Sequence, residues 1–323
     1  MSGRARAWRP GRPVDLHGTL GTLGRGRADP THRRDGADGL WRATTTPDGP
    51  GLLHLRTRAD VGVVDAHAWG PGADWLLEGV PNLLGAADDD AGTGWGAFRP
   101  RPEHPVLLQA WRHRPGVRTP RTRAVFEALT TAAVEQVVTG LQARRALRTL
   151  VLAHGSPAPG EPASTGGPAH GMVVPPPAAV WARIPSWEWL RAGVEGRRSA
   201  VVVRGAGVAG RLEGTLGRPL AEVEPMLRSL PGVGRWTAAE VRQRAHGDPD
   251  AFSFDDYHVA KNVSWALTGE VLDDDGCAEV IDCYAGHRYR VQRLLELAGA
   301  VRPRRGPKMT LPTHTPAATS GQS

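Results

Sequence analysis

Leu230 to Lys261 reads LPGVGRWTAAEVRQRAHGDPDAFSFDDYHVAK. Its turn, Pro231-Gly232-Val233-Gly234, stands between two apolar segments of helical period. Pro231 stops the preceding helix, and the two glycines permit positive φ and close approach by a partner. The amides of Gly232, Gly234 and Trp236, at the start of a helix, suit one phosphate group. Twenty residues after Trp236 comes Asp256, second of a carboxylate pair followed by Tyr257. The pattern is an anion-binding turn, a helix, then a carboxylate near aromatic groups. The same residues also read as an ordinary helical corner, with Asp255 or Asp256 capping the helix that Tyr257 to Lys261 begins. Both readings hold together if one aspartate caps and the other faces a cleft.

The 323 residues carry a formal net charge of +7, nearly all of the basic side chains being arginine; Lys261 and Lys308 are the only lysines. Codon bias accounts for much of that composition, yet a basic chain with 11 tryptophans fits a nucleic-acid partner. Cys277 and Cys283 are too few for a disulfide framework or a four-cysteine iron–sulfur cluster. No His/Cys cluster has zinc spacing, so no catalytic metal is expected. No stretch approaches the roughly 20 apolar residues that span a bilayer, and the basic N-terminus lacks the apolar run of a signal peptide. A cytoplasmic protein with no membrane contact is expected.

Along the chain, residues 1–13 read as a disordered basic arm. Residues 14–104 are mixed. The alternating runs Leu40–Thr45 and Gly51–Thr57 flank Pro47-Asp48-Gly49-Pro50 and predict a β-hairpin. Val61–Trp69 predicts a further strand, and Ala73–Leu84 a helix broken by Pro81. From residue 105 the pattern is helical. His104–Trp111 is a short helix, and Ala124–Ala153 two helices weakened at Thr130-Thr131 and Thr139-Gly140. Residues 154–171 read as a mobile low-complexity loop. Pro175–Ala192, with Trp181, Trp187 and Trp189, reads as core. Helical segments follow at Arg197–Leu212, Pro219–Leu230 and Trp265–Val301, and residues 303–323 read as a disordered tail.

The combination LPGVGRWTA, a twenty-residue spacing and FDDYxxxK resembles the helix-hairpin-helix DNA glycosylase superfamily, in its 3-methyladenine DNA glycosylase II branch. RPGVR at 114–118, VEQVVTGLQARRA at 134–146 and YAGHRYRVQRLLELAG at 284–299 extend the likeness over most of residues 14–300. The resemblance implies an α+β chain: a small N-terminal antiparallel sheet domain with helices, then an all-α core of two helical subdomains over 105–302, its hairpin at 230–240. It implies a monomeric, monofunctional glycosylase that excises alkylated purines from double-stranded DNA in base excision repair.

Carried over by residue, Asp256 matches the catalytic aspartate, and Trp236 a tryptophan lining the base pocket. Bifunctional relatives have a Schiff-base lysine at the place of Trp236, so lyase chemistry is not expected. Gly232, Val233, Gly234, Arg235 and Thr237 form the DNA-binding hairpin. Gln142 falls at the wedge position that fills the gap left by a flipped nucleotide, with Leu141 as the neighbouring candidate. Tyr257, Tyr284, His287 and Glu240 complete the expected pocket. Glu240 replaces a tyrosine, and His287 an aromatic residue. No cofactor is implied beyond a structural monovalent cation at the hairpin carbonyls. The alternatives are a DNA-binding protein with altered catalysis, a glycosylase for another base lesion, and a helical interaction protein whose hairpin is only a corner.

Overall fold

A computed structural model describes residues 3–89 and 94–303. Residues 1–2 of the expected arm and the tail from residue 304 lie outside the described residues. The N-terminal part is a five-stranded antiparallel sheet in the order β1-β5-β4-β3-β2. Its strands are β1 (Arg4–Trp8), β2 (His32–Asp35), β3 (Gly39–Thr46), β4 (Gly49–Arg58) and β5 (Val63–Trp69). A short helix α1 (Leu16–Leu20) follows β1, and α2 (Ala73–Leu83) follows β5. The β3–β4 hairpin pairs Thr46 with Gly49, as the Pro47-Asp48 turn requires.

Alternation along β3 and β4 sends Leu40, Leu53 and Leu55 to one face, against Leu76 and Val80 of α2. Trp41, Ala43 and Leu52 point to the other face. That face is covered by Ala158, Ala169 and Met172. The segment expected as a mobile loop is therefore packed. Its ends are pinned where β6 (Ser156–Pro157) pairs with β7 (Val173–Val174), because the second apolar face of the sheet needs a cover.

Two further expectations are corrected. The arm is no free tail: Arg4 to Trp8 pair with Ala68 to Val64 of β5. The gain there is backbone hydrogen bonding at a sheet edge, and the β1 side chains bury little. The helix α2 runs through Pro81 to Leu83. Pro81 stands in its last turns, where one lost amide bond costs less than unpacking the buried stripe Leu76, Leu77, Val80 and Leu83.

The remaining chain is helical. It comprises α3 (Pro105–His113), α4 (Val125–Glu135), α5 (Gly140–His154), α6 (Ala178–Trp181), α7 (Ser186–Arg191), α8 (Gly196–Gly207), α9 (Ala209–Glu213), α10 (Leu220–Arg228), α11 (Arg235–Val241), α12 (Val259–Thr268), α13 (Asp274–Ile281) and α14 (Arg288–Leu297). A π-helical turn, Arg242–His246, extends α11. One core joins α4 through α11 around Leu129, Leu150, Trp181, Trp189 and Val202. The other joins α3 to α12–α14 around Phe98, Leu107, Phe254, Val263 and Leu294. No helix among the described residues is long and apolar enough to cross a membrane.

A buried ion pair fastens the N-terminal part to the last helix. Arg290 Nη1 donates to Asp88 Oδ2 at 2.8 Å, and their side chains are 3% and 1% exposed. The Thr119 amide also donates to Asp88. Arg118 and Arg290 lie on the Trp95 ring, 4.5 and 5.3 Å from its centroid. Asp88→Ala leaves the Arg290 guanidinium buried and unpaired, and should lower unfolding stability by about 3–5 kcal/mol. A urea midpoint consistent with a loss below about 1 kcal/mol, the level of a surface pair, would refute this support role.

Candidate functional site

The turn before α11 is shaped by its first glycine. Gly232 has φ of +93°, and a Cβ there would meet Val201 Cγ2 at 2.6 Å. Val233 is buried in the helical core and anchors the turn. Gly232, Gly234 and Arg235 are exposed, and Gly234 caps α11 without a side chain. The first-turn amides of α11 therefore have no intrahelical acceptor. Thr237 points inward: its Oγ1 accepts from Gln136 Nε2 at 2.8 Å. Among the five expected hairpin contacts, Val233 and Thr237 hold the turn from behind, and Gly232, Gly234 and Arg235 face outward.

Gln136 also donates to the Gly232 carbonyl at 3.0 Å. It thereby binds the turn between α4 and α5 to the hairpin. Val137, at the tip of that turn, is 100% exposed with φ of +52°. A fully solvated β-branched residue in the left-handed region is a strained outlier, and such strain gathers at functional sites. The two wedge candidates fare differently. Gln142 is occupied: its Oε1 accepts from the Thr139 amide at 3.0 Å, completing a capping box for α5. Leu141 is 54% exposed but sits within the first turn of α5. Sequence reasoning did not single out Val137. Its only signal is geometric.

Asp256 is half-buried just before α12. Its Oδ1 accepts from the amides of His258 and Val259 at 2.8 and 3.0 Å. Its Oδ2 takes no hydrogen bond among the described residues. Asp256, rather than Asp255, is thus the aspartate that caps the start of α12. Asp255 instead has φ of +66°, and its amide donates to Asp274 Oδ2 at 2.8 Å. Tyr257 is 72% exposed, with Lys261 Nζ 4.4 Å from its ring centroid.

The segment leading to Asp256 is braced by buried polar groups. Ser253 Oγ donates to Glu240 Oε1 at 2.8 Å and accepts from Gln243 Nε2 at 2.8 Å. The Ser253 amide donates to Gln292 Oε1 at 3.1 Å. Glu240 Oε2 accepts from Arg244 Nη1 at 2.6 Å, and Arg244 Nε reaches the Thr22 carbonyl at 3.3 Å. Glu240 is 7% exposed, so it serves this brace and does not line an open pocket. The π turn makes the arrangement possible by turning Gln243 and Arg244 inward from neighbouring positions. Arg235 lies 3.8 Å over the Phe254 ring, a second tie between the hairpin and this segment.

Trp236, in the first turn of α11, is half-buried. Tyr284 is not available to a ligand: it is 3% exposed, shares a 2.6 Å hydrogen bond with His104 and accepts from the Arg101 amide at 3.1 Å. His287 is half-buried and packs at 5.2 Å on Phe98. Burial, then the nearby Arg290 charge, pushes its pKa down, which favours the neutral ring. No group of acidic, histidine and cysteine side chains among the described residues is arranged to hold a metal ion.

No protein-family model and no curated protein matches the sequence. Solved structures do match. The chain is similar to a 3-methyladenine DNA-glycosylase from Archaeoglobus fulgidus, with a TM-score of 0.69 and 16% identity over 91% of this chain and 98% of that one. It is similar to a Clostridium acetobutylicum 8-oxoguanine glycosylase/lyase in complex with double-stranded DNA, with a TM-score of 0.64 and 11% identity over 88% and 91% of the two chains. A third likeness is to MBOgg1 in complex with a low-affinity DNA ligand, with a TM-score of 0.67 and 15% identity over 93% and 98%. With a sheet domain, two helical subdomains and a glycine hairpin braced against a carboxylate, the chain has the fold of the helix-hairpin-helix DNA glycosylases.

Proposed function

We propose that this chain is a monofunctional DNA glycosylase that releases damaged purines, N3- and N7-alkylated ones first, by hydrolysis of the N-glycosidic bond. The observation that carries this reading is Asp256: one oxygen fixed by two amides, the other without a hydrogen bond among the described residues, on a segment braced to a glycine hairpin. In this reading the hairpin amides take a phosphate and fix register without reading sequence. Val137 enters the duplex where the damaged nucleotide leaves it, and extrusion costs a few kcal/mol. Trp236 offers its face to a cationic alkylated base, an attraction of about 0.5–2 kcal/mol.

As the glycosidic bond breaks, C1′ gains positive charge, and the ionised Asp256 stabilises it. The C1′–N bonding pair leaves with the alkylated base, which departs neutral, and water adds at C1′ and gives up a proton to solvent, leaving an abasic site. Two amides already hold Oδ1, so the carboxylate needs little reorganisation as charge develops.

Asp256→Asn should keep the helix cap through its remaining oxygen and abolish release of 3-methyladenine from methylated DNA. Affinity for an abasic-analogue duplex should stay within about tenfold, because the phosphate contacts remain. Base release near the wild-type rate would remove Asp256 from the chemistry.

Borohydride should trap no covalent DNA adduct, since Trp236 offers no amine. A robust trapped complex would defeat the monofunctional reading, and its loss in Lys261→Ala would identify the amine. Val137→Gly should relieve positive-φ strain and stabilise the fold by about 1 kcal/mol or leave it unchanged, while weakening binding to the abasic-analogue duplex. Unchanged duplex affinity in that variant would reject Val137 as the wedge.

A further inference from the structure

Arginine is placed unevenly around the candidate site. Arg144, Arg145 and Arg148 stand exposed on one face of α5, with no ion pair or side-chain hydrogen bond among the described residues. Arg144 and Arg148 are four residues apart, and like charges at that spacing weaken a helix. A fourth arginine comes to them from the sheet domain. Gly26 has φ of +89°, the Asp29 amide closes on its carbonyl at 3.2 Å, and Arg27 stands exposed at the tip of that turn. The turn packs on α5: a Cβ at Gly26 would meet Arg144 Cδ at 3.4 Å. Arg27 and the three arginines of α5 thus border one opening between the sheet domain and α5.

The carboxylates bordering the same opening are already engaged. Asp29 accepts from the Arg25 and Thr31 amides at 2.6 and 2.8 Å. Glu127 is held by Arg42 and Thr44, and Glu213 by the amides of Val125 and Phe126 at 2.9 Å each. The four exposed arginines are left without a counter-charge, an arrangement that repels itself and attracts a polyanion.

The end of α4 sets their place relative to the hairpin. Gln136 holds the Gly232 carbonyl, and its neighbour Glu135 pairs with Arg25, two residues before Arg27, at 2.8 Å. The turn bearing Val137 thus stands between the hairpin on one side and the arginine strip on the other. A tip that enters a duplex has one strand on each side of it. With the hairpin on the damaged strand, the strip meets the other.

We propose that Arg27, Arg144, Arg145 and Arg148 bind the phosphates of the DNA strand opposite the damaged base. A guanidinium can engage two phosphate oxygens at once, and such contacts hold a strand without reading its sequence. Arg27 brings the sheet domain into the grip, so the opposite strand is held while the damaged nucleotide is extruded. The strip acts in this way only if DNA reaches the hairpin, the reading proposed above; hydrolysis at Asp256 is not needed.

The test measures binding of the full chain to a duplex with an abasic analogue, by anisotropy across a range of salt. Arg144→Ala with Arg148→Ala should weaken binding about tenfold or more and lower the slope of log affinity against log salt by about 2. Arg27→Ala should weaken it about threefold and lower the slope by about 1. Methylphosphonates, which remove phosphate charge, assign the strand. At the phosphates flanking the nucleotide that faces the analogue, they should weaken binding by the parent and leave the double variant nearly unaffected. Beside the analogue on the damaged strand, they should weaken both proteins alike. Variants that melt as the parent does and keep its affinity and salt slope overturn the strip, while DNA binding at the hairpin stands. Equal weakening of parent and double variant by opposite-strand methylphosphonates overturns the strand assignment. Absent or salt-independent duplex binding by the parent overturns the strip and the DNA reading together.

Discussion

Ser253 is the joint of the molecule. Its hydroxyl and amide engage Glu240 and Gln243 from the first helical subdomain and Gln292 from the second. These side chains are buried, so each would cost about 1–3 kcal/mol if left without its partner. Their mutual satisfaction fixes the 251–254 segment against both bodies at once, and Asp256 follows three residues after Ser253. A site assembled from two subdomains needs such a joint, because small displacements there are expensive for chemistry. The identity of Glu240 follows from this. It departs from the aromatic residue of the resembling branch because here it accepts from Ser253 and Arg244.

The same economy recurs at the proposed DNA face. Buried side chains do the holding so that neighbours can be presented. Val233 and Thr237 fix the hairpin, and Gly232, Gly234 and Arg235 stand outside. Gln136 couples that hairpin to the turn bearing Val137 through two hydrogen bonds. The apolar tip and the hairpin turn are thus tied together. The Asp88–Arg290 pair does the corresponding work between the sheet domain and α14.

What could be read in the sequence was what depends on near neighbours. The β3–β4 hairpin was legible because alternation and a Pro-Asp-Gly turn agree. The glycine turn was legible because Gly232 must take a positive φ that few residues tolerate. The strand β1 was not, since its side chains bury little and its stability comes from the edge of β5. Val137 was invisible for the opposite reason: a β-branched residue at positive φ is what local rules argue against. Thr139-Gly140-Leu141-Gln142 spells a capping box, and the Gln142 side chain closes it. The brace around Ser253 joins polar residues far apart in the chain, and periodicity carries no record of such pairings.

The membership of α3 has a consequence for how the protein is made. This helix packs with α12–α14, yet the whole first helical subdomain is synthesised between them. As the chain leaves the ribosome, the sheet domain and the α4–α11 core can each close on segments already made. The α3 surface, with Leu107 at its centre, must wait for the C-terminal helices, and so must Asp88 for Arg290. Long-range closure of this kind is slow and leaves apolar surface open meanwhile. The docking of α14, which carries Gln292, therefore sets the Ser253 joint, and with it the segment that leads to Asp256.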